Sequence, residues 1–88
     1  MAELTAMDAA EQARDLAEEL VGDVDGVSGV DRDDDGWSVT VEVVEVERIP
    51  PTTDVIASYE LRLDSEGELV SYRRKARYHR SDRLEELR

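Results

Sequence analysis

The chain has 88 residues, 23 of them acidic against 11 basic, with a formal net charge of −12 at pH 7, no cysteine and 40% hydrophobic residues. That length makes one small domain, 1–88, with room for a modest core. The missing cysteines exclude disulfides, thiolate nucleophiles and thiolate metal sites, and the bulk acidity opposes non-specific binding to nucleic acid or anionic membrane.

The charge is unevenly spread. Residues 1–70 carry 20 acids against 4 bases, whereas residues 71–88 carry 7 bases against 3 acids. No apolar run approaches the roughly 20 residues of a membrane span. The early acids do not resemble the basic start of a secretory signal, so a cytoplasmic protein is expected.

The first element is a helix over 6–21. Ala6, Ala9, Ala10, Ala13, Leu16, Ala17 and Leu20 recur at three- and four-residue spacing and make one small-residue face. Thr5 with Asp8 three residues on forms an N-terminal capping pattern, and Gly22 stands where a left-handed C-cap belongs. The like-charged pairs Glu11–Asp15 and Asp15–Glu19 weaken the helix at low salt.

Val27 and Val30 mark a short edge strand interrupted by glycine, about 27–33 within Val24–Asp33. Asp33-Asp34-Asp35-Gly36 then turns the chain, since Asp-Gly is a strong hairpin signal. The central strand, about 37–48, organises the rest. Trp37, Val39, Val41 and Val43 alternate with Ser38, Thr40 and Glu42, after which Val44 and Val46 take over as the apolar positions. Such a one-residue phase change predicts a bulge near Val43–Glu45. Pro50 and Pro51 end the strand because neither can donate to a ladder.

A third strand covers 55–64, with Val55, Ala57, Tyr59, Leu61 and Leu63 on its apolar side. A fourth covers 69–80, with Val70, Tyr72, Ala76 and Tyr78 expected inward. A two-residue Glu66-Gly67 loop sets Leu63 opposite Val70, Leu61 opposite Tyr72, Ala57 opposite Ala76 and Val55 opposite Tyr78, with Glu60 facing Arg73. Ser81–Arg88 is compatible with a short C-terminal helix or with a frayed tail. The expected architecture is α+β: an N-terminal helix packed on a four-stranded antiparallel meander.

Candidate chemistry is sparse. Asp31, Asp33, Asp35, Gly36 and Glu42 match the spacing of a calcium loop. No helix enters that loop and a strand leaves it, so a solvated turn fits better than a metal site. Arg73, Arg74, Lys75, Arg77, His79 and Arg80 form a basic run interleaved with Tyr72 and Tyr78. Nucleic-acid binding needs exposed aromatics beside the cations; here the tyrosines fall in the inward phase and acidic strands lie alongside. A strand whose cations answer Glu45, Glu47 and Glu60 is the simpler expectation, and a docking patch for an acidic protein the functional one. Arg74 alone falls in the inward phase, opposite Tyr59. His79 has no second histidine or patterned carboxylate, and no serine sits in a nucleophile elbow or phosphate loop. An enzyme is therefore not expected, and no cofactor is implied.

From Trp37 onward the sequence resembles the gas vesicle protein O (GvpO) family. The residues carrying the likeness are Trp37, Val39, Val41-Glu42-Val43-Val44-Glu45 and Glu47-Arg48-Ile49-Pro50, then Thr53-Asp54-Val55, Ala57, Tyr59-Glu60 and Leu63-Asp64. They continue through Gly67-Glu68-Leu69 and Tyr72-x-Arg74-x-x-Arg77-Tyr78-x-Arg80. The resemblance implies a non-enzymatic accessory role in gas vesicle formation through contacts with other gas vesicle proteins, in the cytoplasm or on the vesicle. It carries no catalytic residues to transfer, and family members often bear a longer charged N-terminal extension. With the charge pattern, it makes Arg73, Lys75, Arg77, Arg80 and Arg48 the expected partner-binding residues. A different class of function stays open beside it: a small module gripping a ligand or nucleic acid between helix and curved sheet.

Overall fold

The structure is a computed structural model in which residues 4–47, 49 and 54–80 are described. One helix, α1 (Ala6–Leu20), precedes four strands: β1 (Val24–Asp33), β2 (Gly36–Val46), β3 (Val55–Asp64) and β4 (Leu69–His79). All neighbouring strands are antiparallel, in the order β1-β2-β3-β4. The α+β meander expected from the pattern is what forms.

The helix begins on the capping box read from the sequence. The Thr5 hydroxyl accepts from the Asp8 N–H, and the Asp8 carboxylate accepts from the Thr5 N–H, each at 3.1 Å. It ends one residue earlier than expected, with Val21 as cap, and Gly22 follows at φ 112°. Ala9, Ala13 and Ala17 are completely buried. Methyl-sized side chains let the helix axis come close to the sheet, where Val39, Val41, Val43, Leu61, Leu63 and Trp37 complete the core.

The strand β1 starts three residues before the expected 27–33 and carries two register shifts, between Val24 and Gly26 and between Val27 and Gly29. The expected bulge in β2 lies between Val44 and Val46, leaving Glu45 extra. That strand ends at Val46, before the expected residue 48. The next strand spans 55–64 as expected, but its far side (the sheet face turned away from α1) is not all polar. Ile56 pairs with Val44, out of phase with the helix-facing Val43–Ala57 pair, and is only 2% exposed.

The last hairpin departs from the expected register. The loop is longer than Glu66-Gly67: Asp64 N–H donates to the Glu68 carbonyl, and the Asp64 carboxylate accepts from the Glu66 and Glu68 N–H groups. Leu63 consequently faces Leu69, not Val70. An extra residue at Val70 restores the expected pairs Leu61–Tyr72, Glu60–Arg73 and Tyr59–Arg74. A second extra residue, Lys75, then sets Ala57 opposite Arg77 and Val55 opposite His79. The Lys75 bulge throws Ala76 and Tyr78 to the far face, across from Ser58 and Ile56.

The expected inward set of β4 therefore fails. Val70 is 65% and Tyr72 45% exposed. The reason is width: α1 packs chiefly on β1, then β2, then β3, so among the described residues the helix side of β4 beyond Leu69 gets little cover from it. The suggested C-terminal helix over 81–88 lies outside the described residues.

Candidate functional site

The chemistry-bearing side chains gather on β4 and at its two ends. The helix-side positions Arg74 and Arg77 meet Glu45, the bulged residue of β2. Arg77 Nε lies 2.9 Å from Glu45 Oε1, and Arg74 Nη1 donates to Glu45 Oε2 at 3.3 Å. The closer contact is an ion pair without hydrogen-bond alignment, since the buried Oε1 accepts no hydrogen bond. On the far face Arg73 and Lys75 share Glu60, at 3.9 and 3.8 Å. Each carboxylate thus answers two cations, so among these described pairs each side of the strand keeps one positive charge in excess.

Strict alternation would turn Arg73, Lys75 and Arg77 to one outward face, and the structure does not do so. Lys75 is the bulged residue and reaches Glu60 together with Arg73, whereas Arg77 returns to the helix side. The inward phase of Arg74 opposite Tyr59 holds, but its guanidinium goes to Glu45 and remains half exposed.

Arg80 does something else. Its guanidinium donates to both oxygens of Asp25 at 3.2 and 3.3 Å and to Asp54 at 3.3 Å, while its N–H donates to the Asp54 carbonyl. It joins the end of β4 to the start of β1 and to the entry of β3. The Asp25 hydrogen bonds hold its protonated form still more firmly than in a free arginine, and burial opposes this. Arg80 is a brace more than a free cation. Arg48 lies outside the described residues.

The calcium-spaced carboxylates do not converge. The Asp33 carboxylate accepts from the Asp35 and Gly36 N–H groups of its own turn and from Arg62 Nη1 at 2.7 Å. That arginine bond, followed by the turn bonds, holds the Asp33 carboxyl below its ordinary value. Glu42 sits in mid-strand, opposite Gly26 and Ser58. Among the described residues no group of three or more His, Asp or Glu is placed to hold a metal ion.

What pattern-reading missed is the surroundings of Glu42. This carboxylate is 5% exposed, on the far face. It accepts hydrogen bonds from the hydroxyls of Ser28 (2.6 Å), Ser58 (2.6 Å) and Tyr78 (2.5 Å), one from each of the other three strands. The available signal was two serines and a glutamate among outward positions. The bulges that aim Ser28 and Tyr78 at Glu42 were not visible in alternation.

The fold and this geometry define a class: a small α+β protein whose polar side chains tie strands together and whose cations collect on one edge strand. Residues 1–83 match the family described as gas vesicle synthesis protein GvpO, and the chain belongs to that family. It is 50% identical over 68 residues to gas vesicle protein O of a Streptomyces species, covering 74% of this chain and 53% of that protein. With gas vesicle protein O1 of Halobacterium salinarum the identity is 38%, over 94% of this chain and 71% of the relative. With gas vesicle protein O of Haloferax mediterranei it is 39%, over 91% and 59%. The chain therefore spans between half and three-quarters of the relatives it matches. No solved structure matches it.

Proposed function

We propose that this chain is a non-enzymatic accessory protein of gas vesicle formation that acts through protein–protein contacts on β4. Family membership supports the process. The observation that carries the mode of action is the polarity of β4, where, among the described residues, Arg73, Arg74, Lys75 and Arg77 pair with Glu45 and Glu60 on an exposed strand of a strongly acidic chain. Local charge of sign opposite to the net charge steers and orients association. The partners are acidic surfaces of other gas vesicle proteins, and the work is done in the cytoplasm or at the vesicle. No described helix is long and apolar enough to cross a membrane. The alternative of a ligand held between helix and sheet finds no support, because Ala9, Ala13 and Ala17 fill that interface against Val39, Val41 and Val43.

Arg73→Glu/Lys75→Glu tests the proposal in a strain lacking its own family member. These two side chains are 74% and 47% exposed, so their loss costs about 1 kcal/mol or less. The expected outcome is an unchanged circular dichroism spectrum with impaired vesicle formation. A folded double variant that supports normal vesicles would place docking elsewhere, with Arg48 the next residue to reverse.

A further inference from the structure

The backbone of β4 offers more than its charges. It is a terminal strand of the sheet, and no described residue pairs with its outer side. Its two bulges, at Val70 and Lys75, bracket a regular stretch, Ser71–Arg74. Arg80 N–H donates to the Asp54 carbonyl and Asp64 N–H to the Glu68 carbonyl, so the even-numbered β3 residues exchange backbone bonds with β4. Alternation then turns the N–H groups of Ser71 and Arg73 toward β3, and those of Tyr72 and Arg74 outward. Beside these outward amides stand two exposed apolar side chains, Val70 and Tyr72. The four cations of the strand lie on both faces of the edge.

Edge strands are commonly defended by bulges and by lysine or arginine. Here the defence is selective. A second β4 brought alongside would set cations against cations, and like charges directly opposed across a ladder are unfavourable. A strand carrying acids would meet complementary charge on both faces. We infer that the Ser71–Arg74 edge of β4 accepts an acidic extended segment of a partner protein by strand addition. Main-chain hydrogen bonds to Tyr72 and Arg74 hold that segment, and Arg73, Arg74, Lys75 and Arg77 select it. Affinity then comes from the backbone and specificity from alternate side chains. This inference rests on β4 being the docking strand.

The probe is a fluorescent eight-residue peptide of alternating glutamate and valine, with the lysine–valine peptide as control. Only the acidic peptide binds at low salt, and Arg73→Glu/Lys75→Glu weakens it by roughly tenfold or more, the step that corresponds to about 1.4 kcal/mol. Arg74→Pro deletes one outward donor without removing a bond to β3, and edge positions of this kind tolerate proline. It weakens binding by roughly tenfold too, whereas Arg74→Ala, which keeps the N–H, weakens it by about threefold or less. Hydrogen exchange on the unmodified protein gives a readout independent of any variant: saturating peptide slows exchange of the Tyr72 and Arg74 amides. Absence of acidic-peptide binding overturns the inference. So does binding that leaves those two amides unprotected, or binding indifferent to Arg74→Pro in a folded variant. If charge reversal abolishes vesicles while the two amides stay unprotected, β4 remains the docking strand and only strand addition falls.

Discussion

Glu42 is the residue on which hydroxyls from the other three strands converge. A carboxylate at 5% exposure is tolerable because three hydroxyls from three strands donate to it. A hydrogen bond to a charged group contributes about 1.5–3 kcal/mol, and a buried polar group left unpaired costs a similar amount. Tyr78→Phe should therefore cost roughly 1.5–3 kcal/mol, read as a fall in the urea midpoint at unchanged slope. Glu42→Ala, which orphans several donors at once, should cost more than Ser28→Ala or Ser58→Ala alone. A Glu42→Ala variant as stable as the parent would show that the three bonds are not coupled to folding.

Asp33 and Gly36 make the other residue-scale case. The Arg62 bond holds the Asp33 carboxyl below its ordinary value of 3.8. A depressed folded value means that the stabilisation is complete above the unfolded value and is lost as pH falls through the folded one. Acid titration should thus show a component lost below about pH 4. Arg62→Met should reduce that component while leaving the rest of the acid transition in place. At Gly36, φ is +152° and an added Cβ would lie 2.0 Å from the Leu63 carbonyl oxygen. Gly36→Ala should prevent native pairing of β2 with β3, seen as loss of the folded circular dichroism spectrum.

The helix contributes through closeness more than through intrinsic stability. Its exposed Arg14–Glu18 pair at 3.7 Å contributes about 0.5 kcal/mol at most, against the like-charged pairs on the same surface. Ala9, Ala13 and Ala17 at zero exposure leave no room for a larger side chain. Ala13→Leu should destabilise by roughly 1–3 kcal/mol or more through overpacking, although leucine is as apolar and a good helix former. A chemical denaturation midpoint that stays unchanged would mean that the helix can lift without cost.

The four strands depend on their bulges in different ways. In β2 the extra Glu45 reverses the apolar phase and serves Arg74 and Arg77. In β4 the extra Lys75 lets one strand place Tyr72 on the helix side and Tyr78 on the far side. Removing Lys75 would restore simple alternation and carry Tyr78 away from Glu42.

Over the whole molecule, the net charge of −12 on 88 residues sets the response to solution conditions. Self-repulsion opposes the compact state, and at about 0.15 M salt the screening length is already about 8 Å. The melting temperature should rise from low salt to molar NaCl, and a flat or falling midpoint would contradict this. Calcium should add little beyond matched ionic strength, since Asp33 is occupied by its turn and Arg62, and Glu42 by hydroxyls. A saturable calcium-selective rise abolished by Asp33→Ala would overturn that expectation.

By itself the sequence determined the type and order of the elements, the Thr5–Asp8 cap, the buried Trp37–Val43 face, the bulge before Val46 and the centre of the last hairpin. These follow from periodicity and turn chemistry, which act over a few residues and leave a mark in the order of side chains. It also carried the family, through the side chains from Trp37 to Arg80. Only the tertiary structure decided which part of β4 is covered, because that depends on the width of a single helix across four strands. It also decided the Asp64-capped loop and the Lys75 bulge, where local turn bonds and cross-strand pairing outweigh simple alternation. The convergence of Ser28, Ser58 and Tyr78 on Glu42, and the reach of Arg80 to Asp25 and Asp54, join residues up to 55 positions apart. Such contacts have no periodic signature and exist only once the strands are paired.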